Sequence, residues 1–323
     1  MNSFGRIFRI TIFGESHGKS IGINIDGCPP GIEFSEEDML NDISRRKSGS
    51  KGTTPRKETD QPNIISGVFN GKTTGTPITI LFENNNIRSK DYSFVKDIPR
   101  PGHADFTAEY KYKGFQDYRG GGHFSGRLTL ALVAAGALAK KIISPMNPLA
   151  TILEVGGFKN IDEGIDYAIR NKDSVGGIVE CRVSDMLTGL GEPFFDSLES
   201  YIAHLAFSIP AIKGIEFGSG FESAKMFGSE VNDVFIDERG TTKTNNSGGI
   251  NGGISNGNDL VFRIVVKPTS SITKGQKTFN FKTKRMEELK IKGRHDLCIA
   301  LRVPPVLEAI TAIAIADLMM VNK

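Results

Sequence analysis

Alternation between apolar and polar positions predicts a series of short β-strands along the chain. Arg6–Phe13 is rich in β-branched and aromatic residues, and Ile21–Asp26 alternates regularly. The predicted strands are Arg6–Phe13, Ile21–Asp26, Asn63–Phe69, Ile78–Glu83, Leu149–Val155, Gly177–Val183 and Leu260–Lys267. Strands are therefore expected in both halves of the chain.

Two longer segments predict helices that are buried on most sides. Arg127–Ile143 and Val306–Met320 are apolar on most faces, and Pro304-Pro305 suits the start of the second helix. Strands mixed with buried helices indicate an α+β fold with the helices inside. We expect a single domain over residues 1–323.

Two further helices are predicted from residues that suit helix caps. Ser35 precedes a run of acidic residues and is expected to cap a helix that ends near Lys47. Asp196 is expected to cap a helix that ends near Ser208. The stretch from Asn84 to about Gly122 shows no regular pattern, which predicts a long irregular segment.

The charge balance argues against a strongly polycationic nucleic-acid binder. Lysine and arginine number 40 and aspartate and glutamate 37, which leaves a formal net charge of +3. No uncharged apolar stretch reaches the roughly 18–20 residues of a membrane span, because Glu308 and Asp317 interrupt the longest candidate. We therefore expect neither a nucleic-acid partner nor a membrane segment.

The cysteines and the N-terminus predict a cytoplasmic protein. Cys28, Cys181 and Cys298 are odd in number and widely spaced, so they form neither a disulfide framework nor a metal-ligand pattern. The first residues lack a secretory signal. No metal site is expected.

Two histidines lie in loops where they could transfer protons. His17 lies beside Gly18 in the loop between the first two strands, although a surface histidine in a turn would give the same pattern. His103 follows Pro101-Gly102 and lies between Arg100 and Asp105. Asp105 could orient the imidazole for acid–base chemistry, or the group could be purely structural.

Four other segments offer groups that suit the binding of an anion. Residues 43–57 carry Arg45, Arg46, Lys47, Lys51, Arg56 and Lys57 with no acid, which fits either an anionic ligand or a solvated helix end. Nearby aromatic residues for base stacking are missing, which disfavours nucleic acid. Glycine is enriched, with 37 of 323 residues, and Gly120-Gly121-Gly122 precedes the first long helix as a candidate phosphate loop. Lys267–Ser271 adds a cation and hydroxyl groups, while the triplet Arg294-His295-Asp296 fits either a site or a solvated ion pair.

Read together, these segments resemble the chorismate synthase family over nearly the whole chain. Phe13–Gly18, Asp117–Gly122 and Gly293–Asp296 are similar to its three signatures. The intervening matches, in order, are Ser66–Phe69, Thr73–Pro77, Arg88–Tyr92, Arg100–Asp105, Gly189–Pro193 and Lys267–Ser271.

The resemblance implies a carbon–oxygen lyase that acts on a phosphate ester. The family converts 5-enolpyruvylshikimate 3-phosphate to chorismate by 1,4-anti elimination, the last common step of the shikimate pathway to the aromatic amino acids. Reduced FMN is required without net redox change. NADPH would supply reducing equivalents indirectly, through an external flavin reductase. The implied fold is a β–α–β sandwich with apolar helices between antiparallel sheets, assembled as a cytoplasmic homotetramer.

The resemblance also assigns residues. It implies that His17 protonates the leaving phosphate, that His103 protonates or stabilises reduced flavin, and that Asp296 takes a proton from flavin N5. The substrate would be bound by Arg46, Lys51, Arg100, Arg127 and Arg294. FMN would contact His123, Phe124, Ser125, Pro210, Ala211, Gly252, Lys267, Pro268, Thr269, Ser270, Ser271 and Arg294.

The chain departs from the family pattern near the expected flavin site. His123-Phe124-Ser125 stands where Arg-Ser-Ser is common, which removes one cation and one hydroxyl group. Pro210 replaces a common Asn, and Leu297 follows Asp296 where Pro is usual. A non-catalytic anion-binding protein is therefore the competing hypothesis, although binding alone would not require His17, His103 and Asp296.

Overall fold

Two antiparallel sheets enclose a layer of helices in the computed structural model, which describes residues 1–54, 59–85, 94–291 and 295–322. The first sheet contains, in spatial order, β1 (Ser3–Phe4), β2 (Arg9–Gly14), β3 (Ser20–Asp26), β7 (Ile78–Glu83) and β4 (Asn63–Ser66). The second contains β10 (Ile212–Phe217), β13 (Leu260–Val266), β9 (Gly177–Ser184) and β8 (Asn147–Val155). Smaller ribbons pair β5 (Val68–Phe69) with β6 (Lys72–Thr73), β11 (Ile250–Asn251) with β12 (Ile254–Ser255), and β14 (Gln276–Asn280) with β15 (Arg285–Leu289).

Two of the helices, α3 (Thr129–Ile143) and α7 (Pro304–Val321), are almost completely buried. Further helices are α1 (Glu37–Arg46), α2 (Asp105–Tyr112), α4 (Ile161–Asn171), α5 (Leu198–Ala206) and α6 (Gly228–Val231). Helix α3 packs against β2 and β3 of the first sheet, and α7 packs against β8 and β9 of the second. The two helices also pack against each other, so the predicted sandwich with apolar helices inside is confirmed.

Regular alternation of apolar and polar residues along β3 and β7 explains why the first sheet packs on the buried helices. On β3, Ile21, Ile23 and Ile25 are fully buried and pair with Phe82, Ile80 and Ile78 of β7. Because side chains alternate across a strand, one face of each strand is apolar and faces the helices.

Small residues allow α3 and α7 to approach closely. A Cβ atom on Gly136 of α3 would lie 2.2 Å from the Cβ atom of Ala309 on α7. The two backbones are therefore closer than any larger pair of residues would permit.

Helix α7 also carries a buried carboxylate that ties α1, α3 and α7 together. Glu308 accepts two hydrogen bonds from Arg45 (2.7 and 2.6 Å) and one from Lys140 (2.9 Å). Burial alone would raise the pKa of Glu308, but these partners lower it below its ordinary value. The ion pairs fix α1, whose last residue is Arg46.

Asp317, near the other end of α7, explains where β2 begins. Its carboxylate accepts hydrogen bonds from the backbone N–H groups of Arg6 (2.8 Å), Ile7 (2.7 Å) and Phe8 (2.8 Å), and from the hydroxyl of Tyr201. Because these N–H groups are already used, regular pairing starts at Arg9 rather than at Arg6 as the sequence predicted.

Most predicted elements are confirmed, but both predicted caps are wrong. Ser197 caps α5 by accepting from the N–H of Ser200 (3.1 Å), while Asp196 pairs with Arg6. At α1, Ser35 does not accept a hydrogen bond from the first turn of the helix as predicted. Instead its backbone N–H donates to the side chain of Asp38 (2.8 Å). Elements missed from the sequence are α2, α4, α6, β1, β6, β10 and the ribbons of β11 with β12 and of β14 with β15. The single strand predicted over Asn63–Phe69 is divided into β4 and β5, which belong to different sheets.

Among the described residues, α7 is the one helix whose length and apolar character would allow it to cross a bilayer. Its apolar span is 83% buried inside the protein. Its hydrophobicity is therefore used in packing against α3 and the second sheet.

Substitution of Gly136 by Ala should destabilise the fold. Alanine would gain about 1 kcal/mol in helix propensity, but the 2.2 Å contact forces the two central helices apart. We expect a net loss of about 1–3 kcal/mol in the free energy of unfolding, the usual cost of overpacking. Urea denaturation would measure it.

Gly228→Ala provides the matched control, because nothing lies within 4 Å of a Cβ atom there and its φ is not left-handed. A Gly136→Ala protein as stable as the parent or more stable would contradict the close helix contact.

Candidate active site

A cavity of about 710 Å³ opens where α1, the start of α3, the loop after α5 and the loop after β13 meet. Arg46, Lys213, Lys267 and Arg302 lie on its walls, and among the described wall residues the only acid is Asp296. Its deeper surface is apolar, with Leu128, Leu132, Ile209, Ile212 and Val306. The walls therefore combine an apolar surface with an excess of positive charge.

A run of three glycines separates the two predicted proton-transfer histidines. Gly120, Gly121 and Gly122 have φ angles of +60°, +83° and +53°, a conformation that side chains disfavour. A Cβ atom on Gly120 would lie 2.5 Å from two ring atoms of His17, and one on Gly121 would lie 3.5 Å from His103. Only a glycine at position 120 lets His17 approach so closely. Gly120 and His103 both line the cavity, whereas the buried His17 lies behind Gly120.

The loop that carries His17 is bonded to this glycine turn. The N–H of Ser16 donates to the carbonyl of Gly122 (3.1 Å), and the ring of His123 bonds the carbonyl of Gly14 through Nδ1 (2.9 Å). Nearby, hydrogen bonds from Arg119 lower the pKa of Asp117, and the charge of His17 acts in the same direction. His17 therefore has a fixed position relative to the turn.

His103 belongs to a compact group with Arg100 and Asp105. The Asp105 carboxylate lies 2.7 Å from Nδ1 of His103 and accepts two hydrogen bonds from the Arg100 side chain (2.7 and 2.8 Å). Burial would raise the pKa of Asp105, but Arg100 and His103 lower it well below its ordinary value. Asp105 stays ionised and fixes the imidazole, which agrees with the orienting role suggested by the sequence.

Two predicted substrate arginines converge on one buried carboxylate. Arg127 donates to Asp60 (2.8 Å), and Arg46 lies 3.8 Å from the other Asp60 oxygen. Arg46 also donates to the hydroxyl of Thr129 (2.9 Å) at the start of α3. Asp60 therefore joins the two guanidinium groups next to the cavity.

The loop after β13 closes the opposite wall. Lys267 and Ser270 both donate to the carbonyl of Gly102, and Arg100 donates to the hydroxyl of Ser271 (3.0 Å). Burial and the neighbouring Lys213 lower the pKa of Lys267. Lys267–Ser271 and the His103 loop therefore form one continuous wall.

Asp296 is held at the edge of the cavity by two donors. The N–H of Thr54 donates to it (2.8 Å), as does Arg302 (3.2 Å), which also donates to the backbone carbonyl of Arg46 (2.9 Å). Arg302 and Asp60 were missed in the sequence, because each is defined by partners far away along the chain.

Comparisons with known proteins identify the family. The chorismate synthase family model matches residues 8–320. A chorismate synthase of Chitinophaga pinensis is 63% identical over 324 residues, covering 100% of this chain and 98% of that protein. One of Methanocaldococcus jannaschii is 45% identical over 364 residues, covering 99% and 96%.

The chain belongs to the chorismate synthase family. Its fold agrees, since a crystal structure of chorismate synthase superposes with a TM-score of 0.75 at 26% identity, covering 99% of this chain and 93% of that one. The predicted enzyme class, a carbon–oxygen lyase, is confirmed by this membership.

Most residues assigned by resemblance to chorismate synthase lie at or just behind the cavity. Those on its walls are His103, Asp296, Arg46, His123, Phe124, Ser125, Pro210, Ala211 and Lys267–Ser271. His17, Arg100 and Arg127 are buried behind the wall.

Two assigned residues lie elsewhere, and one cannot be placed. The side chain of Lys51 is about half exposed and pairs with Asp166 (2.7 Å) rather than facing the cavity. Gly252 is exposed in the turn between β11 and β12. Arg294 lies outside the described residues.

Substitution of Gly120 by Ala should disable the site while leaving the fold intact. The new methyl group would collide with the His17 ring, where the Cβ distance is 2.5 Å. Because misplacing a catalytic group by about 1 Å can cost about 10²-fold in rate, we expect chorismate formation to slow by about that factor.

Gly157→Ala is the matched control, with a φ of +88° and nothing within 4 Å of its Cβ position. It should lose a similar small amount of stability and keep its rate. Equal rates in the Gly120 variant and the parent would show that His17 does not need this approach.

Proposed function

We propose that the enzyme converts 5-enolpyruvylshikimate 3-phosphate to chorismate by 1,4-anti elimination, with reduced FMN as cofactor. The observation that carries this proposal is that His17 and His103 both lie against one glycine turn, beside a cavity whose described wall residues include four cationic side chains and one acid. Family membership supports the same reaction.

The charge of the substrate matches the charge of the cavity. Two carboxylates and a phosphate of about −1.5 to −2 make it strongly anionic, and FMN brings a further phosphate. Arg46, Lys213, Lys267 and Arg302 provide positive charge on the walls, while Arg100 and Arg127 lie behind them in ion pairs with Asp105 and Asp60. Such an arrangement favours polyanions over neutral ligands.

The cavity also suits a flavin. Its volume of about 710 Å³ falls within the range of about 300–1,000 Å³ for small-molecule sites. The apolar side chains of Leu128, Leu132 and Val306 suit the ring system, and Lys267–Ser271 offers a cation and hydroxyl groups for polar atoms. Reduced flavin held by these residues would supply the electron density that cleavage of the C–O bond needs, without net redox change.

The protein's own residues control the protons. His17 donates a proton to the departing phosphate, which leaves with the electron pair of the C–O bond. His103, fixed by the ionised Asp105, would protonate or stabilise the reduced flavin. Asp296, oriented by Thr54 and Arg302, would take a proton from flavin N5, so that this nitrogen could accept the hydrogen that the substrate loses from C6.

We also propose a cytoplasmic homotetramer that receives reduced flavin from a separate reductase. Phe194 and Phe195, adjacent in the sequence, are 87% and 93% exposed; a contiguous exposed apolar surface favours contact with another copy. The family match occupies residues 8–320, which leaves no stretch of this sequence for a separate NADPH-dependent reductase module.

The decisive test of the reaction uses chemically reduced FMN in the absence of oxygen. The purified protein should then release phosphate from 5-enolpyruvylshikimate 3-phosphate and form chorismate, because the flavin must supply electron density. With oxidised FMN it should release none. Equal rates with oxidised flavin would overturn the flavin mechanism, and binding without turnover would favour a non-catalytic anion-binding protein.

Replacement of His17 by Ala should slow turnover by about 10²–10⁴-fold, the usual contribution of a general acid. Flavin affinity, followed by fluorescence quenching, should change little because His17 lies behind the cavity wall. A melting curve controls for unfolding. A variant with the parent rate would return His17 to a structural role.

A further inference from the structure

Asn84 lies directly after β7 and bonds two parts of the site at once. Its side-chain amide donates to the carbonyls of Glu15 (3.0 Å) and Gly18 (2.9 Å), and its backbone N–H donates to that of Lys19 (3.1 Å). Its side-chain oxygen accepts from Nε of Arg127 (2.5 Å). The residue is 8% exposed, so water competes little for these bonds.

These contacts hold the His17 loop from both sides. Glu15 precedes His17 by two residues, while Gly18 and Lys19 follow it. Asn84 donates to three carbonyl groups of this loop, one of which, that of Glu15, also accepts from the N–H of Gly18 (3.0 Å). The opposite side of the loop rests on the glycine turn through Ser16 and Gly122. The position of His17 is therefore set by Asn84 on one side and by the turn on the other.

The remaining contact extends to the cationic part of the site. Arg127 bonds Asn84, Asp60 and the carbonyl of Glu83 (3.3 Å), so Asn84 joins its guanidinium group to the His17 loop. Only an amide side chain both donates two hydrogen bonds and accepts one here.

We propose that Asn84 is a positioning residue that keeps the His17 imidazole and the Arg127 guanidinium in fixed relation during turnover. The inference rests on the proposed elimination, in which His17 is the acid and Arg127 helps to bind the anionic substrate. Asn84 itself touches neither substrate nor cofactor; it acts through the two residues that it joins.

Two substitutions separate the two contacts. Asn84→Asp keeps an acceptor for Arg127 but puts a carboxylate oxygen against the carbonyls of Glu15 and Gly18. It should lower kcat by about 10–100-fold, within the usual cost of about 10² for a misplaced catalytic group, and leave KM for the substrate within about 3-fold. Asn84→Ala removes both contacts and should lower kcat and raise KM together.

Asn24→Asp is the matched control. Asn24 lies on β3 of the same sheet, and its side-chain oxygen accepts from Thr79 (3.2 Å), a bond that aspartate keeps. The control has the same change in charge and should keep both kinetic constants. If Asn84→Asp behaves like this control, or if both Asn84 variants change KM alone, the proposal is wrong.

A double-mutant cycle with His17→Ala distinguishes positioning from a general loss of structure. If Asn84 acts through His17, Asn84→Asp should reduce the residual rate of the His17→Ala protein by less than about 2-fold, since coupled residues are non-additive. Full additivity would contradict the proposal. If Asn84→Asp does not fold, the cycle is made with Asn84→Ala, which introduces no charge.

An NMR measurement distinguishes failure of the proposed reaction from failure of the proposed role of Asn84. If the parent protein releases no phosphate from 5-enolpyruvylshikimate 3-phosphate, histidine ring signals in NMR spectra still report the position of His17. They should shift for His17 in Asn84→Asp and stay unchanged in Asn24→Asp. An unchanged His17 signal in Asn84→Asp would overturn the structural link itself.

Discussion

The absence of side chains at residues 120–122 is the constraint on which the site depends. His17 comes from the loop between β2 and β3, and His103 comes from the segment just before α2. Both lie against this turn, which is bare backbone in a left-handed conformation, and at position 120 a side chain would collide with the His17 ring. The same turn leads into α3 through Arg127 and Thr129, so the central helix fixes its position.

The buried helices transmit this constraint to the rest of the cavity. Close packing of Gly136 on Ala309 fixes α3 against α7, and Glu308 on α7 binds Arg45 at the end of α1. The next residue, Arg46, reaches the first residue of α3 and the cavity wall. Packing in the apolar layer thereby places the guanidinium group of Arg46 at the cavity wall. The guanidinium group of Arg127 is held behind the wall by hydrogen bonds to Asp60 and Asn84.

Much of the fold was predictable because its core obeys simple periodicity. β3 and β7 alternate with isoleucine, and α3 and α7 are apolar throughout. Helix α2 was missed because only Ala108 is buried on it, so it has no apolar stripe. Helix α4 was also missed, although Asn160 is a favourable N-cap residue. Its side chain accepts hydrogen bonds from the backbone N–H groups of Asp162 and Glu163. The cap of α5 was misassigned by one residue because Asp196 and Ser197 are both good caps, and Arg6 recruits the first.

The site was only partly predictable for a different reason. Resemblance identified His17, His103 and Asp296, but Asn84, Asp60 and Arg302 act through contacts that join distant parts of the chain. His123 shows the same limit: in place of a family arginine it bonds the carbonyl of Gly14 and the side chain of Asn2, which no local pattern reveals.

The most direct test of the central claim is a crystal structure of this enzyme with FMN and 5-enolpyruvylshikimate 3-phosphate bound. The phosphate ester should lie within hydrogen-bonding distance of His17, with the flavin ring against His103 and Asp296 in the cavity. A complex in which both ligands bind away from the glycine turn, or in which His17 and His103 face different ligands in unconnected pockets, would contradict it.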